Sequence, residues 1–339
     1  MKNNQTNMMA AILAMTGANV AGESAVMGQV TVMNSTLDYG RALAQDVAGY
    51  IAGLPSSDEE SLLDLLCPSI EVAPFFQYAK SDDEYFLTEA DGSDLRATGA
   101  TFKRVQYKGT TVTDATQQKG LTMRVDHRTL PMMSGKRQDG WENRFAAALK
   151  NRLIRAEIIR FLSLLDVAAI NQGRVWNAAS NPDADLRGMV QATRTATGMK
   201  PTHMLLGAAA QQLRQDAYEG ASRANHSMAN HANYTMEELA RYTGAGQVIV
   251  EDGVTQVKKA ATKVDRLGFS VYTYSADAGT ILDDPSNFKR AWSATEFSGA
   301  KWAVAIQPNT VFTDITVFHE SKIFAPITSG IIKRTVSPV

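Results

Sequence analysis

The sequence predicts a mixed α+β fold organised around one long helix. Residues 138–169 carry the longest helical pattern of the 339-residue chain. Strand patterns of period two occur on both sides of it, and residues 177–254 alternate helix with strand. A chain of this length can bury a sizeable core, so these three observations favour one large protein with several subdomains.

The N-terminal part of the chain is predicted to form an arm with two short helices. Apolar residues from Leu43 onward recur every three or four positions until Pro55, which ends that helix. Ser57 followed by Glu60 is the pattern of a capping box, and it predicts a second short helix over residues 58–66.

The next segment, residues 75–128, is predicted to form an extended β-hairpin with its return strand. Period-two patterns occur around residues 85–88, from Phe102 to Lys108 and over residues 121–125. The tip between the first two strands is charged and contains glycine. The hairpin has too few apolar residues for a core of its own, and a lone two-stranded hairpin is marginal in water. We therefore expect another subunit to support it.

The long helix has two apolar faces, so it is predicted to be half buried. At ~1.5 Å per residue, about 28 residues would make a rod of roughly 40 Å. A cationic stripe remains between the apolar faces, formed by Arg144, Lys150, Arg152, Arg155 and Arg160.

The rest of the chain is predicted to contain further helices and strands. After a loop at 173–185, helices are expected at 186–197 and 208–218, strands at 199–206 and 247–251, a surface loop at 220–233, and a charged connector at 255–265. Thr235 and Glu238 form a second capping-box pattern, which opens a helix that Gly244 closes. The four last strand patterns, at 269–274, 302–307, 311–318 and 331–336, are expected to form one sheet under the long helix.

The composition excludes several classes of function. The 34 Lys and Arg against 35 Asp and Glu give a net charge of −1, so no bulk attraction to nucleic acid or an acidic membrane is predicted. The single cysteine, Cys67, can form neither an internal disulfide nor a zinc cluster. No apolar run approaches the ~18 residues of a membrane span, so we expect no membrane partner.

Specific stretches of the sequence resemble the major capsid protein of tailed bacteriophages, which has the Hong Kong 97 type fold. Residues 97–128 resemble its extended loop and return strand, and residues 150–170 its spine helix. Residues 199–216 and 234–253 are similar to its axial domain, and residues 321–336 to its closing strand. The order and the lengths of these stretches carry the resemblance, which covers about residues 35–336.

The resemblance implies a division of the chain into parts. These are an N-terminal arm (1–74), the extended loop with its return strand (75–128), the spine helix of the peripheral domain (129–176), an axial domain (177–265), and remaining axial and peripheral strands that close the sheet (266–339).

The resemblance also implies a structural function and no enzymatic activity. Copies would assemble in the host cytoplasm as hexamers and pentamers of an icosahedral virion shell, which encloses packaged double-stranded DNA and expands on maturation. The implied partners are other copies of the chain, a separate scaffolding protein, a portal protein, a decoration protein, and DNA through non-specific contacts. No catalytic residue, cofactor or metal is expected. No stretch matches a covalent cross-linking motif.

We expect the acidic hairpin tip to contact cationic side chains of a neighbouring subunit. The acidic candidates are Asp82, Asp83, Glu84, Asp91 and Asp94. The cationic candidates are Arg96, Lys103, Arg104, Arg152 and Arg155. Calcium is the alternative partner, but the acidic run lacks the spacing of a known calcium loop.

Other interpretations are less favoured by the residues. His226 and His231 are five positions apart in a polar loop without Cys or acidic partners between them, so a solvated loop is favoured over a metal site. Asp126 and His127 are adjacent on a strand and would point to opposite faces, which argues against a catalytic triad. The rival functions are an encapsulin-like compartment and a cytosolic α/β enzyme with a pocket at residues 220–233.

Overall fold

The computed structural model describes residues 40–52, 57–80, 96, 98–102, 110–129, 140–222, 229–259, 261–277, 286–294 and 300–338. The helices are α1 (40–52), α2 (Asp58–Leu66), α3 (Trp141–Ala168), α4 (Pro182–Thr197), α5 (Ala208–Ser222), α6 (Ala229–Ala232) and α7 (Met236–Thr243). The strands before α4 are β1 (Ser69–Glu71), β2 (Phe75–Lys80), β3 (Thr110–Ala115), β4 (Gln117–Asp126) and β5 (Ile170–Val175). The later strands are β6 (His203–Gly207), β7 (Gln247–Glu251), β8 (Val254–Thr255), β9 (Val264–Asp265), β10 (Ser270–Tyr274), β11 (Lys289–Ser293), β12 (Ala303–Pro308), β13 (Phe312–Phe324) and β14 (Ile332–Ser337).

Helix α3 is the predicted long helix, and its 28 residues confirm that prediction. Its side chains Leu153, Ile154, Ile158 and Phe161 are buried in the main hydrophobic core. The helix packs against β4 and β13 of one sheet, and the Phe161 ring lies 5.8 Å from the Tyr274 ring of the other. The helix is therefore apolar on two faces because it lies between two sheets.

The first of these sheets is organised around the 13-residue strand β13. Strand β4 pairs antiparallel along one edge of β13, while β12 and β11 pair in succession with its other edge. Strand β1 extends the sheet by pairing parallel to β11. The described residues thus form a five-stranded sheet that supports α3.

The second sheet has the strand order β5-β14-β10-β6-β7. The expectation of one C-terminal sheet was therefore wrong, because β10 and β14 belong to this sheet while β12 and β13 belong to the first. The reason lies in the burial of β10, which has apolar side chains on both faces. Tyr272 and Tyr274 pack towards α3, whereas Val271 packs in the core under α4 and α7. Such a strand must occupy the middle of a covered sheet.

The base of the predicted hairpin is present as the antiparallel pair β2–β3. Its return strand β4, however, belongs to the first sheet of its own chain. Phe76 and Tyr78 of β2 also pack against Phe324, with ring centroids 5.4 and 4.6 Å apart. The base of the hairpin is therefore supported by its own chain, while support of the rest by another subunit stays a prediction. The predicted strand at 85–88 and residues 103–109 lie outside the described residues.

Three predicted irregular segments contain regular structure. The predicted loop at 173–185 contains the end of β5 and the start of α4, because Asn181 caps α4 and Pro182 fits its first turn. In the predicted loop at 220–233, α5 continues to Ser222 and α6 follows. The charged connector at 255–265 contributes to the antiparallel pair β8–β9.

The two predicted capping boxes differ in the structure. Thr235 and Glu238 form the complete reciprocal box, and Gly244 ends α7 with a φ of 84°. At α2, Ser57 accepts from the Glu60 backbone N–H, but the Glu60 carboxylate instead forms an ion pair with Lys150 of α3. A side chain predicted to cap its own helix therefore joins two helices.

Replacement of Thr235 by alanine is expected to lower the free energy of unfolding by about 1 kcal/mol, because one backbone N–H at the start of α7 loses its acceptor. Urea unfolding of the purified chain measures this. The matched control is Thr195→Ala, since the Thr195 hydroxyl is exposed and donates only to a carbonyl of its own helix. Equal losses in the two variants would contradict the capping role.

Candidate inter-subunit surfaces

The structure describes three of the ten predicted contact residues, Arg96, Arg152 and Arg155. The guanidinium of Arg96 lies 4.9 Å from the ring centroid of Phe102. Arg152 is exposed on α3 and has no ion pair with any residue that the structure describes. Arg155 donates to Glu59 of its own chain at 2.7 Å. The other seven candidates, Asp82, Asp83, Glu84, Asp91, Asp94, Lys103 and Arg104, lie outside the described residues.

Most of the cationic stripe on α3 forms ion pairs within the chain. Lys150 is buried and lies 2.9 Å from the Glu60 carboxylate. Arg160 pairs with Glu157, one turn earlier on the same helix. Together with the Arg155–Glu59 pair, these contacts correct the expectation that the stripe is left over for neighbours.

Helix α2 supplies the acidic partners that connect α3 with both sheets. Glu59 pairs with Arg155 of α3 and, at 2.9 Å, with Arg266, which precedes β10. Asp64 pairs with Arg290 of β11 and lies 3.7 Å from Lys301. Burial and the nearby Arg290 lower the pKa of Lys301 to about 8. Helix α2 thus holds α3 and the two sheets in one arrangement.

Glu157, in the middle of α3, is fully buried against the first sheet. Its carboxylate lies 2.8 Å from Lys119 of β4 and also contacts Arg160. Burial acts to raise the pKa of Glu157, but the charge and hydrogen bond of Lys119, with the charge of Arg160, hold it below its ordinary value. The carboxylate is therefore ionised at neutral pH, and its ion pair with Lys119 connects the return strand β4 to α3.

Exposed apolar side chains follow the C-terminal half of α3 into β5. Ile159, Leu164, Val167 and Ile170 are all exposed, and Val167 retains 84% of its accessible surface. Strand β5 continues the exposure, because each of its residues is exposed and, among the described strands, it pairs with β14 alone. Exposed apolar side chains beside the edge of a sheet are typical of a protein–protein contact.

A broad groove of about 1110 Å³ lies between α1 and β12. Its lining includes Ala44, Ala48, Ile306 and Phe312, with Arg124 stacked 3.8 Å above the Phe312 ring. The sequence did not indicate this groove, because its walls come from opposite ends of the chain.

The histidines considered for a metal site or a catalytic triad contact side chains of the fold where the structure describes them. His231 lies 3.1 Å from Asp183, while His226 lies outside the described residues. His127 contacts the Thr313 hydroxyl, whereas Asp126 accepts from the Arg128 backbone N–H. Within the described residues, no group of three or more His, Cys, Asp or Glu side chains could hold a metal. No helix there is long and apolar enough to cross a membrane.

Comparison with solved structures shows the fold. A phage-related protein of Bordetella bronchiseptica matches with a TM-score of 0.61 and 14% identity, over 85% of this chain and 95% of that chain. Gordonia phage Cozz matches at a TM-score of 0.49 and 10% identity, over 95% and 98% of the two chains. The capsid of cyanophage P-SCSP1u matches at 0.48 and 7%, over 80% and 86%. Further matches are mostly phage capsids and include an encapsulin complex of Synechococcus elongatus.

Sequence comparison adds no relative to these structures. No protein-family model matches the chain, and no curated protein matches it. The likeness therefore rests on architecture: a long helix between two sheets, a hairpin that precedes it, and a second sheet whose strands all follow it. The chain has the mixed helix-and-sheet fold of the Hong Kong 97 type.

Proposed function

We propose that the chain is the major capsid protein of a tailed phage. Its copies assemble as hexamers and pentamers into an icosahedral head around packaged double-stranded DNA, and the shell expands on maturation. The observation that carries this proposal is the fold shared with the phage-related protein of Bordetella bronchiseptica over 85% of the chain. Fold alone does not determine function, so the surfaces of the subunit matter as well.

Two surface properties support assembly into a DNA-filled shell. The apolar strip from Ile159 to Ile170 would be an aggregation risk on a monomer, but it suits a subunit that is covered by neighbours. The net charge of −1 limits phosphate binding, which would otherwise hold packaged DNA in a strongly salt-dependent way.

The remaining partners follow from the same proposal. A separate scaffolding protein would guide assembly in the host cytoplasm, and a portal protein and a decoration protein would join the head. Residues 82–94 would contact cationic side chains of a neighbouring copy. The parts of the subunit would be those predicted, from the arm at 1–74 to the closing strands at 266–339.

Expression of the chain with its scaffolding protein is expected to give particles of megadalton size, which size chromatography and cryo-electron microscopy detect. Capsids from infected cells should contain double-stranded DNA. Particles that contain a cargo protein in place of DNA would instead identify an encapsulin-like compartment. A small oligomer that never forms particles would contradict both shell functions and favour an enzyme.

A further inference from the structure

A short hairpin between β7 and β10 of the second sheet combines exposed apolar and cationic side chains. This lysine hairpin comprises residues 254–265, with β8 and β9 as its antiparallel strands. Val254, Val257 and Val264 on it are exposed, and Val257 retains 92% of its accessible surface. Phe269, which follows it, is exposed as well. A valine so fully exposed has no cover from any part of its own chain that the structure describes.

The tip of the lysine hairpin is strongly basic. Lys258, Lys259 and Lys263 lie between residues 256 and 263, and no carboxylate occurs in that interval. All three side chains are exposed, and none has an ion pair within the described part of the chain. In contrast to Arg155 and Arg160 of α3, these lysines form no ion pair with a residue that the structure describes.

A surface of this kind fits a partner that is both acidic and apolar. The chain itself contains such a segment, because residues 82–94 include six acidic residues together with Tyr85, Phe86 and Leu87. Complementary charge would set the orientation of the contact and speed association, while the aromatic side chains would cover the exposed valines. Packaged DNA is less suited, because phosphates would engage the lysines and leave Val257 in water.

We propose that residues 82–94 of one copy dock on the lysine hairpin of a second copy. This inference rests on the proposed shell function and names the cationic surface that receives the acidic segment. It moves the expected contact away from α3, where Arg155 already has an acidic partner within its own chain.

Charge reversal tests the contact. The triple variant Lys258→Glu, Lys259→Glu and Lys263→Glu should lower the yield of particles by about tenfold, because like charges then meet. Its urea midpoint should match wild type, since the three side chains are exposed. Combining it with Asp82→Lys, Asp83→Lys and Glu84→Lys should restore the yield. Arg152→Glu is the matched control on α3 and should assemble normally.

Several results would overturn the proposal while leaving the shell function intact. These are normal assembly of the lysine variant, no rescue by the reversed acidic segment, or a loss of particles only in Arg152→Glu. Normal empty shells with less packaged DNA would identify DNA as the partner of the lysines. Absence of particles from the wild-type chain and its scaffolding protein would instead count against the shell function itself.

A cross-link tests the same contact without changing charge. Val257→Cys combined with Tyr85→Cys should form disulfides between copies in assembled particles, seen as covalent multimers on a non-reducing gel. The natural Cys67 is buried and does not compete. Each single cysteine variant is the control and should remain monomeric on the gel. Only monomers from the double variant would contradict docking between copies.

Discussion

Replacement of Asp183 by alanine is expected to lower the free energy of unfolding by about 3–5 kcal/mol, because the buried charge of Arg214 then has no carboxylate partner. Both side chains are fully buried, and Arg214 Nε donates to Asp183 at 2.6 Å. A second guanidinium nitrogen donates to Asp183 at 3.1 Å and to the His231 carbonyl at 2.7 Å. The carboxylate therefore joins α4, α5 and α6, and removing it loosens all three contacts.

Urea unfolding of the purified chain would measure this loss. The double variant Asp183→Leu with Arg214→Met should be less destabilised than Asp183→Ala, because no unpaired charge remains in the core. Arg155→Met is a matched control: its partner Glu59 and its own side chain are both partly exposed, so we expect a change of about 1 kcal/mol or less. A loss in Asp183→Ala as small as that of the control would show that the buried pair contributes little.

The Asp183–Arg214 pair also shows what the sequence could not indicate. Local signals predicted the α7 capping box and the length of α3, because each depends on residues within a few turns. Asp183 and Arg214 are 31 positions apart, and the sequence placed Asp183 in a loop. Only the packing of α5 onto the start of α4 reveals that this aspartate needs a cation.

Local sequence patterns could not predict which strands pair with each other either. Period two identified β12, β13 and β14 as strands, but the same alternation fits either sheet. The outcome depends on side chains remote in sequence, as when His203 on β6 lies beside Tyr274 on β10, with ring centroids 5.3 Å apart. A sequence pattern shows that a strand has a buried face and does not name the neighbour that covers it.

The candidate contact residues were limited in the same way. Periodicity correctly placed Arg152 and Arg155 on the exposed side of α3, but it could not show that Glu59, 96 positions from Arg155, lies beside it. The lysine hairpin was interpreted as a charged connector. The presence of Val254, Val257 and Val264 among the lysines could have identified it as a contact surface, since solvated linkers are poor in β-branched apolar residues.

The fold is also expected to lose stability as the pH falls below about 6.5, the ordinary value for histidine. His203 on β6 and His319 on β13 are both buried. Burial lowers the pKa of His203 to about 4 and that of His319 to about 3. Each imidazole is therefore neutral in the folded chain under conditions where the unfolded chain already binds a proton.

The sign of the effect follows from this difference in bound protons. For a group with a lowered folded pKa, its full contribution to stability is present above the unfolded pKa and is lost as the pH falls towards the folded pKa. At ~1.4 kcal/mol per pH unit, each histidine would cost about 3 kcal/mol between pH 6.5 and pH 4. Below that range Glu157 adds to the loss in the same direction, because its pKa is also below the ordinary value.

Urea unfolding at a series of pH values would measure this slope, with His203→Gln and His319→Gln as the variants. Each substitution should reduce the slope between pH 6.5 and pH 4 by about one proton, because glutamine does not titrate.

The slope is the informative quantity, since either variant also loses packing, such as that of His319 on Trp302 with ring centroids 4.4 Å apart. His127→Gln is the control, because its ring is partly exposed and its hydrogen-bond partner among the described residues is the Thr313 hydroxyl. A double variant that keeps the wild-type slope would show that other groups take up the protons. Because the two histidines lie in different sheets, on either side of α3, a reduced slope in both single variants would show that acid weakens both sheets of the subunit.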